Sequence, residues 1–331
     1  MTAETLTPVE TEGLSLGKIV WGRFIRHKAA ILSAIVLLIT VTIVLTSIGV
    51  GPIPGWWIWS PTDIDKTIVN GGHPTLAWEG WWFTLGEHPF GQDQIGRDVF
   101  ARTMRGAQVS LMVMVIMGVI ATAVGLVIGA VAGFYRGRTD NILMRITEVF
   151  IAIPAIVVTA VIGYKFGGSN PALFGVVLGF LLWPGLARLV RAEYLTLRER
   201  EFVDAARVAG AGDRTIIFKH ILPNAIGVVI VNATLLMATA TILEAALSFL
   251  GFGIQPPNVS LGQLINEYQT SFSTRPWLFW WPGFFIIVFA LTINLIGDGL
   301  RDAFDPRQRR IPKTKELSKS AIAKAEREVA E

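Results

Sequence analysis

Six stretches of this chain carry no charged side chain and are apolar enough to lie in a membrane. They are residues 29–50, 107–134, 149–164, 172–187, 221–243 and 276–297, of which 107–134 is the longest and 149–164 and 172–187 are the shortest. About 20 helical residues cross the ~30 Å hydrocarbon layer of a bilayer, where backbone polar groups must bond within their own helix. That constraint selects an all-α integral membrane protein. Composition agrees: 16% of residues are charged, against about a quarter in soluble domains. The two shorter stretches each hold a proline, Pro154 and Pro184, and are joined by Gly167-Gly168-Ser169-Asn170. Short or proline-broken spans often border a transport path, although an ordinary kink explains them equally well.

Several chemistries are excluded. There is no cysteine, and the four histidines (His27, His73, His88, His220) have no metal-binding spacing. Gly17-Lys18 lacks the upstream glycine of a nucleotide-binding loop, so any ATP must be hydrolysed by another chain. The first 28 residues carry Glu4, Glu10 and Glu12 ahead of their basic group, and the apolar run that follows is too long for a secretory signal. It is read as a retained span.

Lysine and arginine set the orientation. With the amino terminus in the cytoplasm, the inner segments 1–28, 135–148, 188–220 and 298–331 hold 23 basic residues and the outer segments hold 6. Both ends then lie inside. Most tryptophans fall on the outer side (Trp56, Trp57, Trp59, Trp78, Trp81, Trp82, Trp277, Trp280, Trp281), as interfacial anchors would. The expected organisation is a cytoplasmic segment 1–28, a first span 29–50, an outer loop 51–106, a five-span core 107–300 with a cytoplasmic loop 188–220, and a polar tail 301–331.

That cytoplasmic loop contains "REREFVDAARVAGAGDRTIIFKHILPN". Phe202, Ala205, Ala206 and Ala209 share one helical face, with Glu201, Asp204 and Arg207 on others; Asp204 and Arg207 are spaced to pair. Gly210 can end the helix, Asp213 can cap a second one over 214–222, and Pro223 limits its continuation. Small residues allow close approach by another protein, so the helix reads as a docking element or as a simple connector. The residues leave both open.

The pattern Asp204-Ala205-Ala206-x-x-x-Gly210 followed by Leu222-Pro223 resembles the EAA loop of bacterial ABC importer permeases. Aspartate stands where glutamate is usual, and His220 where isoleucine is common. "HPFGQDQIGRDVFARTMRGAQVSL" (88–111, with Gln92 for a frequent threonine) and "ILEAALSFLGFGIQPPNVSLGQLI" (242–265) resemble the C-type subunits of dipeptide and oligopeptide permeases. "VFIAIPAIVV" (149–158) and "WPGLARLVRAEYL" (183–195) fit the same group. These matches span most of residues 88–300 in the right order.

The resemblance implies a type I ABC importer permease with six transmembrane helices in a bacterial inner membrane, forming half of a pathway for di- or oligopeptides. It implies a second homologous permease, an extracytoplasmic solute-binding protein, and two ATPase subunits that carry ATP and magnesium. No cofactor and no nucleic acid belong to this chain. Glu201, Asp204, Ala205, Ala206, Arg207, Gly210, Leu222 and Pro223 are then the ATPase-coupling set. A nickel or metal-chelate permease shares these motifs. A self-sufficient secondary transporter and a purely structural subunit are the alternatives from other classes. Asn232 and Glu244 are expected to line the pathway or its outer gate, or else to form helix–helix hydrogen bonds. Asp98 and Arg102, four residues apart, are expected to pair and to contact the binding protein or pack on their own bundle.

Overall fold

The computed structural model describes residues 16–79, 82–166 and 170–305. A short helix α1 (Leu16–Phe24) turns into α2 (Lys28–Ser47). The turn is fixed by His27, whose Nδ1 accepts from the Ala30 N–H at 3.2 Å. Two small hairpins follow, β1 (Gly49–Val50) with β2 (Ile53–Pro54) and β3 (Ala77–Glu79) with β4 (Trp82–Thr84).

Helix α3 (Val99–Tyr135) has 37 residues. At 1.5 Å per residue it is about 55 Å long, well beyond a bilayer core, so its ends stand clear of the hydrocarbon. Helices α4 (Gly137–Ala152) and α5 (Ala155–Phe166) meet at Pro154, where a break bends the pair by 70°. Then come α6 (Pro171–Leu197), α7 (Glu201–Val208), α8 (Asp213–Phe249), α9 (Leu261–Tyr268) and α10 (Trp277–Phe304). Helices α2, α3, α6, α8 and α10 are each long and apolar enough to cross a membrane, and the bent pair supplies a sixth crossing if counted as one span.

Pro184 lies inside a continuous α6, so the fourth stretch is an unbroken 27-residue helix. Beyond residue 187 it carries Arg191, whose charge is paired. Arg191 holds Asp140 of α4 through two contacts of 2.5 and 2.6 Å, and Arg136 meets Glu199 at 2.9 Å. Pro223 likewise does not stop its helix. The Leu222 N–H reaches back five residues to the Ile217 oxygen, making a wide π-turn over Ile216–Ile221. That looser turn gives the proline ring room within α8. Asp213 is the first helical residue rather than the cap, which is Gly212. The separate helix expected over 214–222 is therefore the start of the fifth span.

Helices α3 and α6 form the closest seam. Gly125, Gly129 and Gly133 face Trp183, Ala187 and Arg191, and Gly175 and Gly179 face Ile116 and Ile120. Small residues let two backbones approach where lipid offers no hydrophobic incentive to pair. Several tryptophans depart from the anchoring expectation. Trp57 and Trp281 pack against a core of Phe90, Phe100, Met104 and Phe285, with Trp277 buried in it, while Trp56 and Trp280 are exposed. The side chains of Trp78, Trp81 and Trp82, residues 167–169 of the joining turn, and tail residues 306–331 lie outside the described residues.

Candidate functional site: a projecting helix and a polar junction

Helix α7 is held between the ends of α6 and α8. Its Val203 and Ala206 are buried against Phe134, Leu186, Tyr194, Ile216, Ile217 and Ile221. The Tyr194 hydroxyl donates to the Ile217 carbonyl at 3.2 Å, tying α6 to the π-turn. Arg198, just past α6, donates to the Phe134 carbonyl and lies over that ring. The inward stripe is therefore Val203 and Ala206, not the four residues Phe202, Ala205, Ala206 and Ala209 together. Ala206 belongs to the chain's own core. Phe202, Ala205, Ala209 and above all Val208, at 91% exposure, face outward. Glu201 is exposed in the first turn, where an acid suits the helix dipole. Arg207 and Asp204 pair at 3.0 Å as their spacing indicates.

The end of α7 follows the glycine signal. Gly210 has φ +82°, its N–H bonds the Arg207 carbonyl, and the Ala211 N–H bonds the Ala206 carbonyl. This is the left-handed Schellman stop. The result is a rigid two-turn projection with an apolar and charged face that nothing in the described chain covers. Leu222 is half-buried and Pro223 exposed, both on the α8 side of the same end.

Further along α8, Asn232 is half-buried and donates to the Val228 carbonyl of its own helix at 2.8 Å. Glu244 is 1% exposed. It accepts from Ser248 on α8 and from Ser110 on α3, both at 2.8 Å. Ser110 in turn accepts from the Leu261 N–H that opens α9. The carboxylate thus fastens three helices together from an enclosed position.

The end opposite α7 carries a polar junction. Asp98 caps α3: Oδ2 accepts from the Ala101 N–H and from Trp57 Nε1, each at 2.8 Å, and Oδ1 lies 2.9 Å from His88 Nδ1. Burial pushes its carboxyl above the usual range, opposed by those three hydrogen bonds. Arg102 does not pair with Asp98. Its guanidinium meets Glu267 of α9 at 2.6 Å and lies 5.7 Å from the Tyr268 ring centre. Arg97 joins Glu267 at 2.5 Å and Asp93 at 2.6 Å. Asp98 and Arg102 are 1% and 4% exposed, so they pack on their own bundle. Sequence reasoning missed His88, Asp93, Glu267 and Val203. Glu267 finds Arg97 and Arg102 across distances no spacing reveals and His88 meets Asp98 ten residues on, whereas Asp93 stood four residues before Arg97 and Val203 stood on the helical wheel as an apolar neighbour of Ala206.

Residues 125–310 match the family model described as binding-protein-dependent transport system inner membrane component. The chain belongs to this family. As such an inner membrane component, it has the all-α fold of an ABC importer permease, and the self-sufficient secondary transporter is set aside. The permease is 40% identical over 287 residues to a Brucella ovis protein named as a candidate peptide permease, covering 86% of this chain and 89% of that one. It is 36% identical to the oligopeptide transport system permease protein OppC of Haemophilus influenzae, covering 93% and 94%. The OppC protein of Mycobacterium bovis is also 36% identical, with 90% and 97% covered. Among solved structures, an inward-facing MetNI methionine ABC transporter overlays with a TM-score of 0.49 and 22% identity, covering 62% of this chain and 97% of that chain.

Proposed function

We propose that this permease forms one half of the translocation pathway of an ATP-driven importer of short peptides and is moved by an ATPase subunit seated on α7. The observation that carries the coupling reading is the uncovered face of α7, held rigidly by Val203 and Ala206. Peptide cargo is favoured over a metal chelate by the names of relatives that match along nearly their whole length. The 23-to-6 basic bias supports placing both termini and α7 in the cytoplasm.

The mechanism follows from connectivity. ATP and magnesium belong to the two ATPase subunits, whose closure would draw α7 toward its counterpart on a second, homologous permease. Val203 and Ala206 sit in the cluster formed by α3, α6 and α8, so a push on α7 moves those helices as a body. Glu244 and Ser110 carry the motion to α9 at the far end. There a solute-binding protein would release its peptide into the opened cavity. Glu244 acts as the pin of this gate, and Asn232 is the candidate polar group along the path.

The test is peptide-stimulated ATP hydrolysis by the reconstituted complex. Ala205→Trp places bulk on the exposed face and should abolish stimulation while the complex still assembles. Gly210→Pro, incompatible with φ +82°, should do the same. Normal stimulation in both variants would refute the coupling role.

A further inference from the structure

We infer that the permease holds a specifically bound anionic phospholipid in a cleft between α1, α8 and α10. The cleft has a volume of about 1080 Å³ and is lined mainly by apolar side chains, among them Ile19, Val20, Phe24, Leu222, Ile226 and Phe304. In a membrane such a space takes up hydrocarbon rather than water, since apolar walls offer water no partners.

Helix α1 is fixed as one wall. Phe24 packs with Ala30 and Ala303, and Arg23, which also lines the cleft, donates to the carbonyls of Ala303 at 3.4 Å and Asp305 at 3.0 Å. His27 reaches Asp302 at 3.4 Å. The same helix leaves Trp21 62% and Ile25 50% exposed. An apolar stripe with a tryptophan beside basic residues is the composition of a helix lying in the membrane interface.

Charge selects the headgroup. Lys18, Arg23, Arg26 and Lys28 are all exposed and crowd into the eleven residues before and at the start of span α2. Four or more basic residues beside a span attract anionic lipid, each contributing through short-range electrostatics. The chain's own tail is the wrong occupant. Residues 306–331 hold eight basic and four acidic side chains, a net positive charge of the same sign as the Lys18–Lys28 cluster, which disfavours the tail there. Among the described residues, Arg23 and Glu193 are the charged side chains that line the cleft, and Lys18, Arg26 and Lys28 beside Arg23 tip the local balance to positive.

The test uses the full permease complex in vesicles or discs of mixed phosphatidylglycerol and phosphatidylethanolamine. It is washed with excess detergent, and retained lipid is counted by native mass spectrometry. The wild type should keep phosphatidylglycerol in preference. Val228→Trp, which fills the cleft from α8, should lose the retained lipid. Lys18→Gln with Arg26→Gln should keep the cleft but reduce the preference by up to about thirtyfold. If Val228→Trp fails to assemble, Val20→Trp fills the space from the α1 wall. Equal retention of both lipids, unchanged retention in the filled variants, or none in the wild type would overturn the inference. So would retention that rises when residues 1–15 or 306–331 are removed, which would make that segment the occupant.

Discussion

Gly129 lies where α3 approaches α6 most tightly, and replacing it with alanine tests that packing in one atom. A methyl group built there would fall inside contact distance of the Ala187 carbonyl oxygen and 2.8 Å from Val190 Cβ. Carbon atoms rest comfortably at about 3.5–4.0 Å, so the helices must separate by roughly 1 Å. Overpacking of this kind costs about 1–3 kcal/mol, while alanine regains up to ~1 kcal/mol of helix propensity over glycine. The obstacle is backbone that cannot rotate away, which places the cost at the upper end and the net loss at about 1–2 kcal/mol. Gly185 on α6 is the internal control, because nothing lies within 4 Å of its added methyl. There the propensity gain stands alone, up to ~1 kcal/mol of stabilisation. The assay is the apparent melting temperature of the detergent-purified chain by fluorescence-detected gel filtration. Gly129→Ala should melt earlier than wild type and Gly185→Ala no earlier. A Gly129→Ala protein more stable than wild type would refute the close seam.

Other expected outcomes follow from the same contacts. Glu244→Ala should destabilise the purified chain by about 2–4 kcal/mol, since it leaves two buried serine donors without their acceptor, while Glu244→Gln should lose less; equal melting of the two variants would count against the pin. The raised Asp98 carboxyl contributes stability that is complete below the ordinary carboxylate range near 3.9 and fades as pH rises through the raised value. Asp98→Asn should flatten that slope in a melting series from pH 4 to 6.5, and an unchanged slope would assign it to another group. Ala206→Trp should impair folding itself, unlike Ala205→Trp, because Ala206 is buried within the chain and Ala205 is not.

The spans were legible because hydrocarbon tolerates so few sequences: each uncharged run falls largely on helix, although residues 48–50 lie past the end of α2 and the third run is split between α4 and α5 at Pro154. Helix ends were not, because a run ends at its first charge while a helix ends where its hydrogen bonds do. Helix α6 carries Arg191, whose charge is paired with Asp140, and the π-turn before Pro223 continues α8. The left-handed stop at Gly210 was readable, since few other residues adopt that conformation. Which stripe of α7 faces inward was not, because Val203 and the alanines are all apolar and only the neighbours decide. The polar junction was hidden for a different reason. Arg102 finds its carboxylate 165 positions away in Glu267, and Glu244 finds Ser110 across 134, so nearby spacing suggested an Asp98–Arg102 pair that the fold does not make.

The most direct test of the central claim uses the absence of cysteine from this chain. Ala205→Cys introduces a single thiol on the exposed face of α7, and a short photoactivatable cross-linker attached there reports what lies against it in native membranes. Cross-linking to an ATPase subunit is expected, with a yield that changes when ATP is trapped. A fully labelled cysteine that cross-links only to lipid or to its own chain would contradict it.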